Sequence, residues 1–126
     1  MTVINSVLGP LDSADMGTTL MHEHIISSST GIPQNYPDIL DSGYMKRILK
    51  GLKQAKAGGI DTIVDATTLD LGRDVNILAE VSRRTGVNII ACTGWWIEKP
   101  RFITGVSIVR LARAFIRDIE EGIAGR

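Results

Sequence analysis

The only two histidines of this chain, His22 and His24, stand one residue apart in TTLMHEHI, residues 18–25. The run is rich in strand formers, and alternate side chains of a strand share a face, so both imidazoles can turn to one side while Glu23 takes the other. Imidazole is the commonest nitrogen ligand for zinc and related divalent ions. It binds in its neutral form at about 2 Å, and an ordinary pKa of about 6.5 makes that form available at neutral pH. The spacing therefore admits half of a metal site, and equally a pair of hydrogen-bonded histidines at a strand end.

Three further residues bear on that chemistry. Asp65, inside IVDATT, can orient a ligand histidine through its second ring nitrogen, or instead accept from neighbouring backbone amides. Trp96, with Trp95, closes GVNIIACTGWW; in a barrel the loops at such strand ends line the active site, so a tryptophan there either faces a ligand or packs beneath the loop. Cys92 lies within an apolar strand with no third histidine to activate it, and reads as a small buried hydrophobe. GxGxxG, P-loop and GxSxG motifs are absent, which leaves a nucleotide cofactor or a serine triad without support.

The elements that must position these side chains alternate. Residues 1–17 read as an N-terminal hairpin, with Val3, Ile4, Val7 and Leu8 leading into a Gly9-Pro10 turn and a second turn over Asp12-Ser13-Ala14-Asp15. Residues 18–126 then read as three strand–helix units. The first strand covers Thr18 to Ile26, and a Ser/Pro-rich loop follows it. A helix between Gly43 and Ala57 carries Met45, Ile48, Leu49 and Leu52 on one face and stops at Gly58-Gly59. The second unit pairs a strand from Asp61 to Thr68 with a helix capped by Asp74, turning Val75, Leu78, Ala79 and Ser82 inward and ending at Gly86. GVNIIACTG repeats the Gly-led pattern of GIDTIVDATT, and the last helix, from about Ser107 to Gly122, aligns Ile108, Leu111, Ala112, Phe115, Ile116 and Ile119. Strands apolar on both faces between helices imply a parallel sheet, either a small α/β layer or part of a barrel. A cupin-like β protein also uses HxH, but would lack the three amphipathic helices.

The bulk numbers narrow the partners. At 126 residues and 44% hydrophobic the chain can bury one core. Lys+Arg and Asp+Glu are both 14, so no overall basic field favours nucleic acid or an anionic membrane. Lys46, Arg47, Lys50, Lys53 and Lys56 make the first helix locally basic, as a solvated outer face does. A lone cysteine allows no internal disulfide, and neither a signal peptide nor a run of roughly 18 apolar residues occurs, so a reducing cytoplasm is the expected location.

GPLDSADMGTTLMHEHI, IVDATTLDLGRDVNILAEVSRRTGVNIIACTGWW and FIRDIEEGIAG, taken in order, resemble the phosphotriesterase family of the amidohydrolase superfamily, including its lactonases. The resemblance implies a (β/α)8 TIM barrel with a binuclear centre, most often zinc, whose hydroxide attacks a phosphoester or lactone. It carries a metal-ligand role to His22 and His24 and places Trp96 against a small ester or lactone substrate. At Trp95 the family more often has an aliphatic residue. The family's other ligands, a lysine on the fourth strand, histidines on the fifth and sixth and an aspartate on the eighth, have no counterpart before Gly125, where the match ends. The expectation is thus an N-terminal portion of the barrel, a hydrolase by kinship but inactive alone. It would self-associate or pair with a complementing fragment through exposed edges. The alternative is a non-catalytic metal-binding fragment or interaction module.

Overall fold

The computed structural model describes residues 2–97 and 99–125, the side chain of Phe102 excepted. The chain opens with an antiparallel hairpin of β1 (Val3–Ser6) and β2 (Gly9–Asp12). Gly9-Pro10 does not form its turn. Val7 and Leu8 do, closed by the Ser6 hydroxyl, which donates to the Gly9 carbonyl at 2.7 Å and accepts from the Leu8 amide at 3.2 Å. Pro10 instead sits in the returning edge strand, where a missing N–H is tolerated. The Asp12 carboxylate then caps a short 3-10 turn, Ser13–Asp15, by accepting from the Ala14 amide.

The central layer is a parallel sheet of β3 (Thr19–Glu23), β4 (Thr62–Asp65) and β5 (Asn88–Ala91), in that order. Each strand is shorter than its apolar run, because the residues that follow are drawn into loops held by side chains. Within the first of these loops Pro33 helps start a single helical turn, α1 (Ile32–Asn35), where the sequence reads as irregular. The fold is therefore α/β, with helices α2 (Tyr44–Ala57) and α3 (Val75–Thr85) laid over one face of the sheet.

The core forms where those helices meet the strands. Leu49, Ile63, Leu78, Ala79, Val81, Val87 and Ile89 are buried together, with Met45, Ile48 and Leu52 packed against them, so the apolar stripe of α2 is used as its spacing requires. Asp74 caps α3 by accepting from the Asn76 and Ile77 amides, and Gly86 ends it at φ 71°. At the end of α2 the left-handed residue is Gly59 rather than Gly58.

Helix α4 (Ile108–Glu120), capped by Ser107, departs most from its pattern. Its partly buried line runs through Leu111, Ala114, Phe115 and Asp118, while Ile108, Val109, Ile116 and Ile119 are exposed, Ile108 at 84%. Among the described residues no strand lies beyond β5 to receive them. The far edge of β5 is nonetheless engaged: the Val7 amide donates to the Ile89 carbonyl at 2.9 Å, and Asn5 donates to the Ile119 carbonyl at 3.1 Å. The hairpin thus joins the sheet edge to the end of α4. No helix of the described residues is long and apolar enough to cross a membrane.

Candidate metal centre

Because β3, β4 and β5 run parallel, the loops that follow them emerge at one end of the sheet. The first carries His24, the second Thr67 to Arg73, the third Cys92 to Ile97. Polar residues crowd this end because the strands stop there and their backbone groups need partners other than the ladder.

His22 reaches this region through an irregularity in β3. Leu20 pairs with Ile63 and Glu23 with Asp65, so β3 spends one residue more than β4 over the same rise. Without that bulge, strict alternation would put His22 on the face of Leu20, which packs into the helix-covered core. The extra residue reverses the sense: His22 turns to the opposite face, and the ring of His24, just past the strand, stands 5.3 Å from it at 70°. Both rings are exposed in this three-stranded sheet. The Nδ1 atom of His24 lies 3.0 Å from the Thr67 hydroxyl, which leaves Nε2 as the nitrogen turned away from the protein contact.

Asp65 is 1% exposed, and its carboxylate accepts from the Ile25 amide and the Thr67 amide, each at 2.9 Å. Of its two sequence readings, the backbone-amide one describes its hydrogen bonds among the described residues. It fixes the residue after His24 and the residue that bonds His24, so its hold on the ring is indirect.

The loop after β4 reaches in both directions. Thr30 donates to the Leu69 carbonyl at 2.6 Å and the Ser28 amide to the Leu71 carbonyl at 2.9 Å, tying in the loop after β3. On the other side, the Trp96 amide donates to Asp70 at 3.2 Å and Arg73 donates to the Cys92 carbonyl at 2.6 Å. Gly72 permits the close approach to Ser28, with φ 83° and no room for a Cβ. Thr67, Asp70 and Arg73 were not singled out by sequence reasoning, although polar residues directly after a buried strand were the available signal.

The two tryptophans divide the two readings of their motif. Trp95 packs on Phe115, ring centres 5.3 Å apart, beneath the loop. Trp96 is 59% exposed at the histidine end. Burial pushes the Cys92 thiol above its ordinary range, outweighing the nearby Arg73 guanidinium, so the group is a thiol rather than a nucleophilic thiolate at neutral pH.

As a donor set, two adjacent imidazoles, one of them oriented through its Nδ1 by a hydroxyl, suit a divalent metal of borderline softness. Among the described residues no group of three or more His, Cys, Asp or Glu gathers to complete a cage.

Residues 2–126 match the phosphotriesterase family. The chain is 35% identical over 143 residues to a phosphotriesterase homology protein of Mycobacterium tuberculosis, covering 98% of this chain and 41% of that protein. It is 36% identical over 118 residues to an aryldialkylphosphatase of Saccharolobus solfataricus, covering 91% and 38%. Over 111 residues it is 30% identical to a phosphotriesterase homology protein of Escherichia coli, covering 86% and 37%. The chain spans about two fifths of the length of these curated relatives.

Proposed function

This chain belongs to the phosphotriesterase family, and from that premise we propose that it forms the N-terminal portion of a (β/α)8 barrel of a metal-dependent hydrolase acting on small esters or lactones. The observation that carries the reading is the pair of imidazoles, 5.3 Å apart, at the end of a strand whose bulge turns them away from the face of Leu20. His22 and His24 would hold a divalent ion, most suitably zinc, as one side of a binuclear site. A metal there supplies Lewis acidity, polarising a P=O or C=O bond and making a water more acidic. Thr67 accepts the Nδ1 proton of His24 so that Nε2 keeps its lone pair for the metal, Asp65 holds the backbone on both sides of that contact, and Trp96 offers an apolar face to the substrate.

Zinc is almost always held by about four ligands in structural sites and by about three protein ligands plus water in catalytic ones. Two imidazoles fall short of either, so we propose that the described residues bind metal without sustaining turnover. A non-catalytic metal-binding fragment or interaction module is the second reading, favoured by the absence of a third donor among the described residues. The exposed Ile108, Val109, Ile116 and Ile119 support self-association or pairing with a complementing barrel fragment. The cytoplasm is the compartment we propose, on the strength of the single cysteine.

Calorimetric titration with zinc, beside assays of paraoxon-like esters and lactones in added zinc or cobalt, tests this. Uptake that disappears in His22→Ala is expected, without turnover. Equal zinc binding by the chain and by His22→Ala would sink the metal reading, and turnover dependent on His22 would sink the inactivity.

A further inference from the structure

We propose that Asp70 is a positioning residue for Trp96, setting where the indole stands at the open end of the sheet and hence which substrates fit beside it; the specificity part rests on the substrate-facing reading of Trp96 above. One oxygen of Asp70 accepts two bonds, from the Thr68 hydroxyl at 2.6 Å and from the Trp96 amide at 3.2 Å. The first bond holds the carboxylate within its own turn, so it is a fixed anchor rather than a swinging side chain. The second spans two loops and pins the main chain at the residue that bears the indole.

The contrast between the two tryptophans gives this bond its importance. Trp95 is held by ring packing on Phe115. The indole of Trp96 is 59% exposed and shares no ring contact with the described aromatic residues. No aromatic ring among the described residues holds the indole, so the position of the main chain that carries it rests on the bond to Asp70. A bond to a charged acceptor is stronger than one between neutral groups, which suits an anchor between two loops.

The same turn holds His24 through Thr67, using different atoms. Loss of the Asp70 bond thus moves the tryptophan loop while the imidazole pair keeps its own support. Asn at position 70 retains an acceptor oxygen in the same place, so it restores the arrangement that Ala removes.

The test uses a Trp95→Phe background, in which Trp96 is the sole tryptophan. Near-UV circular dichroism and fluorescence anisotropy are compared for this protein, its Asp70→Ala form and its Asp70→Asn form, with far-UV spectra and zinc titration as controls. We expect Asp70→Ala to lose most of the tryptophan band and to lower the anisotropy, Asp70→Asn to retain both, and zinc binding to be unchanged. An unchanged Trp96 signal in Asp70→Ala overturns the proposal, as does a loss that comes with unfolding in the far-UV. Titration with 4-nitrophenol then separates the two readings. Saturable quenching of Trp96, weakened severalfold in Asp70→Ala, supports the specificity role. No quenching in the parent, beside an Asp70-dependent Trp96 signal, retains the anchor and overturns the substrate-facing reading of Trp96.

Discussion

His24 and Thr67 meet across two neighbouring strands, Nδ1 to Oγ1 at 3.0 Å, although 43 positions separate them in the chain. The contact passes between the loop that ends β3 and the loop that ends β4, so the parallel pairing of those strands is what makes it. A histidine whose second nitrogen is engaged in this way keeps one ring orientation.

Thr67→Val keeps the shape of a buried side chain and removes only the hydroxyl. Metal affinity should fall by about 10- to 100-fold, the range typical of lost outer partners of ligand histidines. Zinc calorimetry checks this, and an affinity equal to the parent's would remove Thr67 from the site.

Asp65→Ala should destabilise the fold by about 3 kcal/mol, because it strands the Ile25 and Thr67 amides at a site closed to water. Urea denaturation measures it. Asp65→Asn, which keeps one acceptor oxygen, should lose about half as much.

Gly72→Ala and Gly86→Ala separate strain from crowding. Both glycines have positive φ, 83° and 71°, and a methyl group at either costs about 1 kcal/mol of backbone strain. At Gly86 the added carbon meets nothing, whereas at Gly72 it would lie 2.5 Å from Ser28 Oγ and 3.2 Å from the Ser28 backbone. Gly72→Ala should therefore lose about 2 kcal/mol more than Gly86→Ala in matched denaturation curves.

Acidification should weaken the fold through two aspartates, one exposed and one half-buried. The Lys56 ammonium, then the Thr18 amide, hold Asp61 below the ordinary carboxylate range; the Gly43 amide, then Arg47, do so for Asp41. A lowered folded pKa gives stability that is whole above the unfolded value and is lost as pH falls through the folded one. Stability should thus be level near neutrality and decline below the ordinary carboxylate range, with a shallower decline in Asp61→Asn and in high salt. Denaturation midpoints from pH 7 down to about 2 decide it.

Local rules carried much of the architecture. The Asp74 cap, the Gly86 stop, the inward face of α2 and the parallel sheet follow from side-chain type and spacing, because each depends on near neighbours or on burial of an apolar stripe. The bulge in β3 does not: a period-two reading of LMHEH pairs the histidines but would aim them with Leu20 toward the helices. Register against β4, a non-local quantity, decides their face. The Gly9-Pro10 turn failed for a smaller reason, since the Ser6 hydroxyl closes a tighter turn two residues earlier. Helix α4 shows the limit of amphipathic patterns, which state that a face seeks cover without supplying it. Asp70 and Arg73 are not legible in the sequence, because acceptors and donors in a loop are recognised only by what the fold brings opposite them.

The amide of Val7 already occupies the outward carbonyl of Ile89. A further strand laid alongside β5 would find that rung filled, so it must begin its ladder past Ile89 or evict the hairpin to start lower. The first few residues of the chain thereby limit where along β5 the sheet can grow.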